Sequence, residues 1–312
     1  MEEGRPGTSP QGQHGEGDFG HVPVLLNEAM EFLRVGRGGI YIDATVGAGG
    51  HSFEIAKRLG AEGRLIGFDK DPTALAVAGS RLRAPAGLER SWPAIELRHG
   101  SFAGVGTLGP ESAAGLLADL GLSSLQLRDA SRGFSFQAEG ELDMRMDPRS
   151  ERTADQVVNR AREEDLADAI YKFGEERRSR RIARAIVRAR PIRSTAHLAQ
   201  VISAAARPMK QPGKTIHPAT LTFQAIRIWV NHELEDLEAL LEAAPRILQK
   251  GGRLVIISFH SLEDRLVKDA MRLGAQQGIY RPLTKKPVTA GDAERRRNPR
   301  ARSAKLRAAE RI

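Results

Sequence analysis

Hydrophobic positions divide the chain into regions with different periodicity. Between His21 and Leu127, short apolar runs rich in Ile, Leu and Val alternate with segments of helical periodicity. Strands that alternate with helices predict a parallel sheet that carries helices on both faces. The predicted strands are Ile40–Ile42, Arg64–Phe68, Ile95–Leu97 and Gly115–Ala118. This part of the chain therefore predicts a doubly wound α/β fold.

Helical patterns alone occupy the stretch that follows. Thr153–Gln156 matches a capping box ahead of two valines, which is typical of a helix start. The sheet resumes only with a fifth predicted strand, Arg253–Ile257. We therefore predict a small all-helical domain, residues 128–215, inserted into an α/β domain that consists of residues 21–127 and 216–312.

The first 20 residues are polar and contain six glycines, which predicts a flexible leader. They lack the apolar core of a signal peptide, and no later stretch approaches the ~18 apolar residues of a membrane span. The chain contains no cysteine, which fits a reducing compartment. These features predict a cytoplasmic protein that does not associate with membranes.

Positive charge is concentrated in two parts of the chain. Arg281–Ile312 contains eleven Lys or Arg and three acidic residues, so it carries +8 of the formal net charge of +9. A second group contains eight arginines between Arg177 and Arg193. Both groups predict attraction to the phosphates of a nucleic acid. Since only fifteen residues are aromatic, we expect recognition through charge and shape more than through base stacking.

A glycine-rich turn, Asp43–Ser52, follows the first predicted strand and leads into a helix. Glycines there allow the backbone to approach a ligand, and the helix start offers free N–H groups. The dinucleotide fingerprint requires Gly or Ala where this chain has Ser52, which argues against a pyrophosphate. Asp69 follows 22 residues after Gly47, at the end of the second strand, where its carboxylate can accept both ribose hydroxyls. The pair predicts a nucleoside ligand.

Three further predicted strands end in candidate site residues. Phe102 follows the third strand, where it can border an adenine or belong to the core, and Asp119 ends the fourth, facing the reacting centre. His260 follows the fifth strand, although a single histidine usually has a structural role. Ligands of open α/β sheets bind at this edge. The eight histidines show no metal-ligand spacing, so we predict no metal site.

Seven longer motifs extend, in order, over nearly the whole chain from His21. They are His21–Glu28, Asp43–Ser52, Asp119–Gln126, Arg132–Phe136, Leu142–Asp147, Ser258–Arg265 and Asn298–Arg307. Together they resemble the bacterial 16S ribosomal RNA cytosine-N4 methyltransferases. Several long motifs in one order are far more specific than a single glycine loop. The resemblance implies a Rossmann-like class I S-adenosylmethionine-dependent methyltransferase sheet.

The resemblance also implies a reaction. The methyl donor would be S-adenosylmethionine, and the acceptor the exocyclic amine of a cytidine in the decoding region (P site) of 16S rRNA in the small ribosomal subunit. The helical domain would recognise RNA; no obligatory protein partner is implied, and a homodimer is left open. The cofactor residues matched by motif are Gly49, Gly50 and His51 at the methionine end, Asp69 at the ribose, Phe102 at the adenine, and Asp119 and Gln126.

The residue composition by itself bears on which cytosine atom could be methylated. Methylation at cytosine C5 normally requires a cysteine nucleophile, which this chain lacks. The N4 amine can attack a sulfonium methyl directly, but its lone pair is delocalised into the ring, so it needs a hydrogen-bond acceptor. Asp119 or a nearby backbone carbonyl is the candidate acceptor, which makes Asp119 the candidate catalytic residue, with His260 as a neighbour.

Three other functions are alternatives to rRNA methylation. DNA amino-methyltransferases have Pro-Pro and an aromatic residue after the catalytic Asp or Asn, whereas this chain has Asp119-Leu120-Gly121. Ser52 and the basic C-terminal region argue against a nicotinamide-dependent oxidoreductase. An RNA-binding ribosome assembly factor that retains the cofactor fold without catalysis stays open, and turnover of the cofactor would distinguish it.

Overall fold

A seven-stranded sheet forms the centre of the computed structural model, which describes residues 23–206 and 217–312. The leader predicted at residues 1–20 lies outside the described residues. The strands are β1 (Ile40–Asp43), β2 (Arg64–Asp69), β3 (Ala94–His99), β4 (Ala113–Asp119), β5 (Leu248–Ser258), β6 (Tyr280–Pro282) and β7 (Lys305–Arg311). Their order across the sheet is β3-β2-β1-β4-β5-β7-β6. Strands β1 to β5 are parallel, whereas β7 is antiparallel to β5 and β6.

The five predicted strands are confirmed and are parallel, whereas β6 and the antiparallel β7 were not predicted. Strand β7 lies in the region that the charge pattern interpreted as a basic RNA-binding segment. Leu306 and Ala308 of this strand are fully buried. Arg307 donates to Asp264 at 2.7 Å and Lys305 donates to the same carboxylate at 3.0 Å. Part of the positive charge therefore stabilises the fold and is not available to RNA.

Twelve α-helices accompany the sheet in the described residues. They are α1 (Leu26–Leu33), α2 (Gly50–Leu59), α3 (Pro72–Arg81), α4 (Ser124–Arg128), α5 (Ala154–Arg160), α6 (Glu163–Gly174), α7 (Ser179–Arg188), α8 (Thr195–Ala205), α9 (Thr220–Asn231), α10 (Glu233–Ile247), α11 (Ser261–Gln276) and α12 (Asp292–Arg297). None of these helices is long and apolar enough to span a bilayer.

Side-chain alternation along the strands creates two hydrophobic cores, one on each face of the sheet. Tyr41 and Leu117 point to the face covered by α1, α2 and α3. Ile42 and Leu116, their immediate neighbours, point to the opposite face, which α10 and α11 cover. Burial on both faces explains the nearly continuous apolar runs of the central strands, which are typical of parallel sheets.

Helices α5 to α9, which lie between β4 and β5, pack around a third core. The predicted capping box at the start of α5 is present, with Thr153 and Gln156 bonding to each other's backbone amides. Helix α9 packs on the same core, although the sequence pattern placed the end of the helical domain at residue 215. Helices α5 to α9 are called the helical unit below. Its fully buried residues include Val158, Ile170, Ile182, Ile202 and Ile228.

Candidate functional site

A pocket opens where β1, β2 and β4 end. The turn after β1 runs directly into α2 and contains two glycines in the left-handed region, Gly47 at φ 54° and Gly49 at φ 78°. A Cβ atom on Gly47 would meet no atom within 4 Å, so the bare backbone faces open space in the pocket. A ligand can therefore approach this turn closely, next to the positive end of α2.

Asp69 closes one side of this pocket at the end of β2. Its Oδ2 accepts from the Gly47 amide at 2.7 Å, and its Oδ1 accepts from the Asp71 amide at 2.8 Å. Burial raises the pKa of Asp69 to about 6, although both backbone hydrogen bonds act in the other direction. Each carboxylate oxygen can accept a second hydrogen bond, so the group retains the capacity to bind the hydroxyls of a ribose.

Asp119 lies deeper in the pocket, at the end of β4. Its Oδ1 is buried and has no hydrogen-bond partner among the described residues. Its Oδ2 lies 3.6 Å from Nδ1 of His51. Burial raises the pKa of Asp119 to about 7; the charge of Arg300 lowers it and that of Glu263 raises it. A buried acceptor without a partner is costly unless a ligand supplies a donor.

His51 and the glycines beside it differ in what they contribute. The His51 ring bonds through Nε2 to the carbonyl of Val24 at 3.0 Å, and burial lowers its pKa. The neutral ring must therefore carry its proton on Nε2, which leaves Nδ1 facing Asp119. Gly50 lines the pocket, as predicted. Gly49 does not line it, because a Cβ there would point at Ala78 of α3 at 3.3 Å.

The last two residues of the predicted set, Phe102 and Gln126, also line the pocket. Phe102 is partly buried and follows β3, so its ring lies at the Asp69 edge of the sheet. Gln126 is buried, its Oε1 accepts from the Ser123 amide at 2.9 Å, and its Nε2 donates to Asp71 at 3.3 Å. Gln126 therefore ties helix α4 to the start of α3 as well as lining the pocket.

Several further pocket residues were not predicted to belong to the site, including Met146, Glu233, Glu263 and Arg300. Arg300 reaches the pocket from the segment before β7 and donates to Ser124 and to the carbonyl of Leu122. Met146, Glu263 and Arg300 lie inside the family motifs, and this was the only sequence signal for them, but the motifs assigned them no role. Glu233 lies outside the motifs, and its position in the pocket depends on how the helical unit packs.

Glu233, His260 and Glu263 form a small group in which one ligand atom from each lies within 4.8 Å of the others. Their charges are already matched, however. Both oxygens of Glu233 accept from Arg227, at 2.8 and 2.7 Å, and Glu263 accepts from the Phe259 amide at 2.8 Å. Both carboxylates also lie at helix starts, where negative charge is favoured. The geometry favours an ion-pair network, and the absence of a metal stays a prediction.

The groups that line the pocket favour some ligands over others. The carboxylates of Asp69 and Asp119 suit ribose hydroxyls and a cationic group, and would repel a pyrophosphate. Ser52 occupies the position of the third fingerprint glycine and donates to Asp43 at 2.5 Å instead of facing a ligand. The unpartnered oxygen of Asp119 and the bare turn at Gly47 likewise fit a positively charged nucleoside. This pocket, in a sheet whose seventh strand is antiparallel, defines a class I S-adenosylmethionine-dependent methyltransferase.

Comparison with known proteins identifies the family. The sequence model of the MraW methylase family matches residues 18–312, and the chain belongs to this family. Ribosomal RNA small subunit methyltransferase H of Koribacter versatilis is 63% identical over 306 residues, covering 97% of this chain and 98% of the relative. The protein of the same name from Acidobacterium capsulatum is 62% identical over 292 residues, covering 93% and 98%. Aeropyrum pernix fibrillarin with bound S-adenosyl-L-methionine aligns over 91% of this chain and 73% of its own, with 12% identity and a TM-score of 0.40.

We expect the variant Asp119→Asn to be more stable than the wild-type protein at pH 8 when no ligand is present. The folded-state pKa of about 7 lies above the ordinary value of 3.8, so folding favours the protonated form and stability falls as pH rises between these values. Three pKa units correspond to roughly 4 kcal/mol as an upper limit. Urea unfolding at pH 5 and pH 8 measures the effect, and the gain should be larger at pH 8.

Asp264→Asn is the matched control for this prediction. Hydrogen bonds and charges from Arg307 and Lys305 outweigh the effect of burial and hold the pKa of Asp264 below its ordinary value. The sign is therefore reversed, and this variant should lose stability at both pH values. A loss of stability in Asp119→Asn that is larger at pH 8 than at pH 5 would contradict the argument.

Proposed function

We propose that the protein transfers a methyl group from S-adenosylmethionine to N4 of a cytidine in the decoding region (P site) of 16S rRNA in the small ribosomal subunit. The relatives described above are named as small-subunit rRNA methyltransferases, which supports an rRNA substrate and a cytoplasmic location. The observation that carries the N4 assignment is the buried Asp119 Oδ1, which has no hydrogen-bond partner in the described part of the chain. An amine supplies the donor that this oxygen lacks, whereas a ring carbon does not.

The cofactor residues lie at three strand ends, and those at each end would bind a different part of the ligand. The turn at Gly47, with Gly50 and His51, would hold the methionine end, Asp69 the ribose hydroxyls, and Phe102 the adenine. The bound cofactor supplies an electrophilic methyl group on a positively charged sulfur. The carboxylate of Asp119 would favour that positive charge nearby, because a cation in a buried site lowers the energy of an ionised acid.

Asp119 would also prepare the acceptor. When ionised, its Oδ1 accepts a hydrogen bond from one N4–H, which draws the nitrogen lone pair out of conjugation with the ring. The oriented N4 would accept the methyl group as S-adenosylhomocysteine leaves, and the released N4 proton would pass to the carboxylate of Asp119 or to solvent. The His51 ring, fixed by its bond to the Val24 carbonyl, lies 3.6 Å from the other carboxylate oxygen, Oδ2, and limits rotation of the carboxylate by steric contact. Fixed orientation of the reacting groups accounts for much of the rate in such transfers.

The target base must leave its stack to enter a pocket this deep. We propose that the exposed arginines of the helical unit and of α12 bind the surrounding rRNA backbone. Arg180, Arg181 and Arg184 are exposed on α7, and Arg296 and Arg297 are exposed on α12. The domain boundaries and the RNA-binding role of the helical unit are part of this proposal.

Replacing Arg296, Arg297 and Arg302 together with glutamine is expected to weaken binding of an rRNA fragment and to reduce its salt dependence. All three are exposed, whereas Arg295 next to them also contacts Thr289. Each phosphate contact contributes about 0.7–0.9 to the slope of log K against log salt, so the slope should fall by up to ~2.5. Fluorescence anisotropy at several salt concentrations measures it.

The control for this prediction is the double variant Arg37→Gln and Lys250→Gln. Both residues are exposed at the amino ends of the strands, on the side opposite to the pocket. Their replacement should leave the slope unchanged. Equal slopes for the triple variant of Arg296, Arg297 and Arg302 and for the wild-type protein would mean that these arginines have a role other than RNA binding.

The proposed function is tested with methyl-labelled S-adenosylmethionine and small ribosomal subunits from cells that lack the enzyme. The RNA is digested and the labelled nucleoside identified. Label in N4-methylcytidine supports the proposal, and label in another nucleoside contradicts it. Cofactor binding without any label on rRNA, at several stages of subunit assembly, would favour the assembly factor that retains the fold without catalysis.

A further inference from the structure

Two of the quoted motifs, Arg132–Phe136 and Leu142–Asp147, have no part in the proposed chemistry, yet they pack together beside the pocket. The Met144 amide donates to the carbonyl of Arg132 at 2.9 Å. Gly133 has φ 70°, and a Cβ there would lie 2.1 Å from the carbonyl oxygen of Glu141. The two backbones therefore meet at a distance that only glycine permits, which fixes one motif on the other.

The Arg132 side chain joins this unit to the cofactor side of the sheet. Its Nη1 donates to Oδ2 of Asp71 at 2.9 Å, and its Nη2 donates to the carbonyls of Arg145 and Met146 at 2.9 and 3.0 Å. Asp71 is fully buried and caps α3 by accepting from the Thr73 amide. Only a planar fork of donors can span a carboxylate and two carbonyls in this way.

The segment Met144–Met146, which we call the strap, is held from its other side by Asn231. The Asn231 Oδ1 accepts from the Met146 amide at 2.6 Å, and its Nδ2 donates to the Met144 carbonyl at 2.7 Å. Met144 is fully buried with φ 56°, a conformation that costs a non-glycine residue on the order of 1 kcal/mol or more. The strap therefore depends on these contacts, and Met146 lines the pocket.

The same contacts connect the ribose site to the helical unit. The Asp71 amide donates to Oδ1 of Asp69 at 2.8 Å, so the residue that would bind ribose is directly bonded to the residue that Arg132 holds. At the other end, Asn231 is the last residue of α9. A continuous set of hydrogen bonds thus runs from Asp69 through Asp71, Arg132 and the strap to Asn231.

We propose that Arg132 is a positioning residue that couples the two ligand sites: cofactor bound at Asp69 further stabilises the strap through Asp71 and Arg132, and the strap forms, at Met146, the part of the pocket wall against which the acceptor base lies. This inference rests on the proposed function for the identity of the acceptor and for the contact between the cofactor and Asp69. The expected coupling is positive, so that cofactor raises the affinity for RNA, and RNA raises the affinity for cofactor by the same factor.

The experiment compares the wild-type protein with Arg132→Lys by hydrogen exchange, with and without S-adenosylhomocysteine. Lysine keeps a positive charge beside Asp71 but cannot reach the two strap carbonyls as well. In the wild-type protein the Met146 amide should exchange at least tenfold more slowly when S-adenosylhomocysteine is bound. In Arg132→Lys this added protection should disappear, while the dissociation constant of S-adenosylhomocysteine rises less than about tenfold. Arg160→Lys, at the exposed end of α5, is the matched control.

The kinetic readout separates positioning from a general structural role. Arg132→Lys should raise KM for the RNA about tenfold and, at saturating RNA, KM for the cofactor by a similar factor, while the affinity of the free enzyme for S-adenosylhomocysteine changes far less. The proposal would be overturned if S-adenosylhomocysteine slowed strap exchange in Arg132→Lys as much as in the wild-type protein. Faster exchange throughout the core of the helical unit would also overturn it, because that would mean loss of the fold. The exchange measurement needs no methyl transfer, so its failure is distinguishable from failure of the proposed function.

Discussion

The variant Asp119→Asn should reduce the rate of methyl transfer on the order of 10²- to 10³-fold, with a much smaller change in cofactor affinity. Asparagine has nearly the same shape, but its neutral carbonyl oxygen is a weaker acceptor for the N4 amine. Single-turnover rates with labelled cofactor give the first quantity, and calorimetry with S-adenosylhomocysteine gives the second. Turnover and cofactor binding that are both unchanged would remove Asp119 from the mechanism.

The pH dependence provides an independent check on the same residue. Asp119 accepts the amine only when ionised, and its pKa in the free enzyme is about 7. For the wild-type protein, kcat/KM should therefore rise about tenfold per pH unit below pH 7 and level off above it. The variant should lose this rise. Asp264→Asn, whose carboxylate lies outside the pocket lining, should keep the wild-type profile.

The second large effect is expected at the ribose site, where Asp69→Ala should weaken cofactor binding about 100-fold or more. The carboxylate would accept both ribose hydroxyls, and each hydrogen bond to a charged group contributes roughly 1.5–3 kcal/mol. Calorimetric titration with S-adenosylhomocysteine measures the loss. An affinity within threefold of the wild-type value would show that the ribose binds elsewhere.

A cofactor analogue without the 2′-hydroxyl distinguishes lost ribose contacts from a distorted turn. Asp69 also orders the backbone, since it accepts from the amides of Gly47 and Asp71. In the wild-type protein the deoxy analogue should bind about tenfold more weakly than S-adenosylhomocysteine. In Asp69→Ala the two ligands should bind equally, because the shared partner is gone. A penalty that persists in the variant would assign the 2′-hydroxyl to another residue.

Hydrophobic pattern was sufficient to predict the strands of the sheet interior but not its last edge. Strands β1, β2 and β4 are buried on both faces and consist of aliphatic runs that the sequence displays directly. Strand β7 has the sequence Lys305-Leu-Arg-Ala-Ala-Glu-Arg311, in which four of seven residues are charged. Those charges resemble a solvent-exposed segment, and only the tertiary partners, such as Asp264 for Arg307, show that they are paired in the fold.

The site was predictable where it is local in sequence. Asp69 and Asp119 follow strands, and parallel strands bring their carboxyl ends to one edge, so the geometry followed from the order of elements. Arg300 and Glu233 reach the pocket across large sequence separations, from the approach to β7 and from the start of α10. Their positions depend on the packing of a mixed sheet edge and of the helical unit. No short-range pattern encodes such packing, which is why these side chains were missed.

The position of β7 has a consequence for the newly synthesised chain. This strand inserts between β5 and β6, and Arg300, just before it, forms part of the pocket wall. Until translation has passed these residues, β5 presents an open hydrogen-bonding edge to solvent, which is a hazard for aggregation. The cofactor pocket is likewise incomplete at that stage. A protein that modifies ribosomes, as proposed, would thus become competent only after β7 has emerged from the ribosome that makes it.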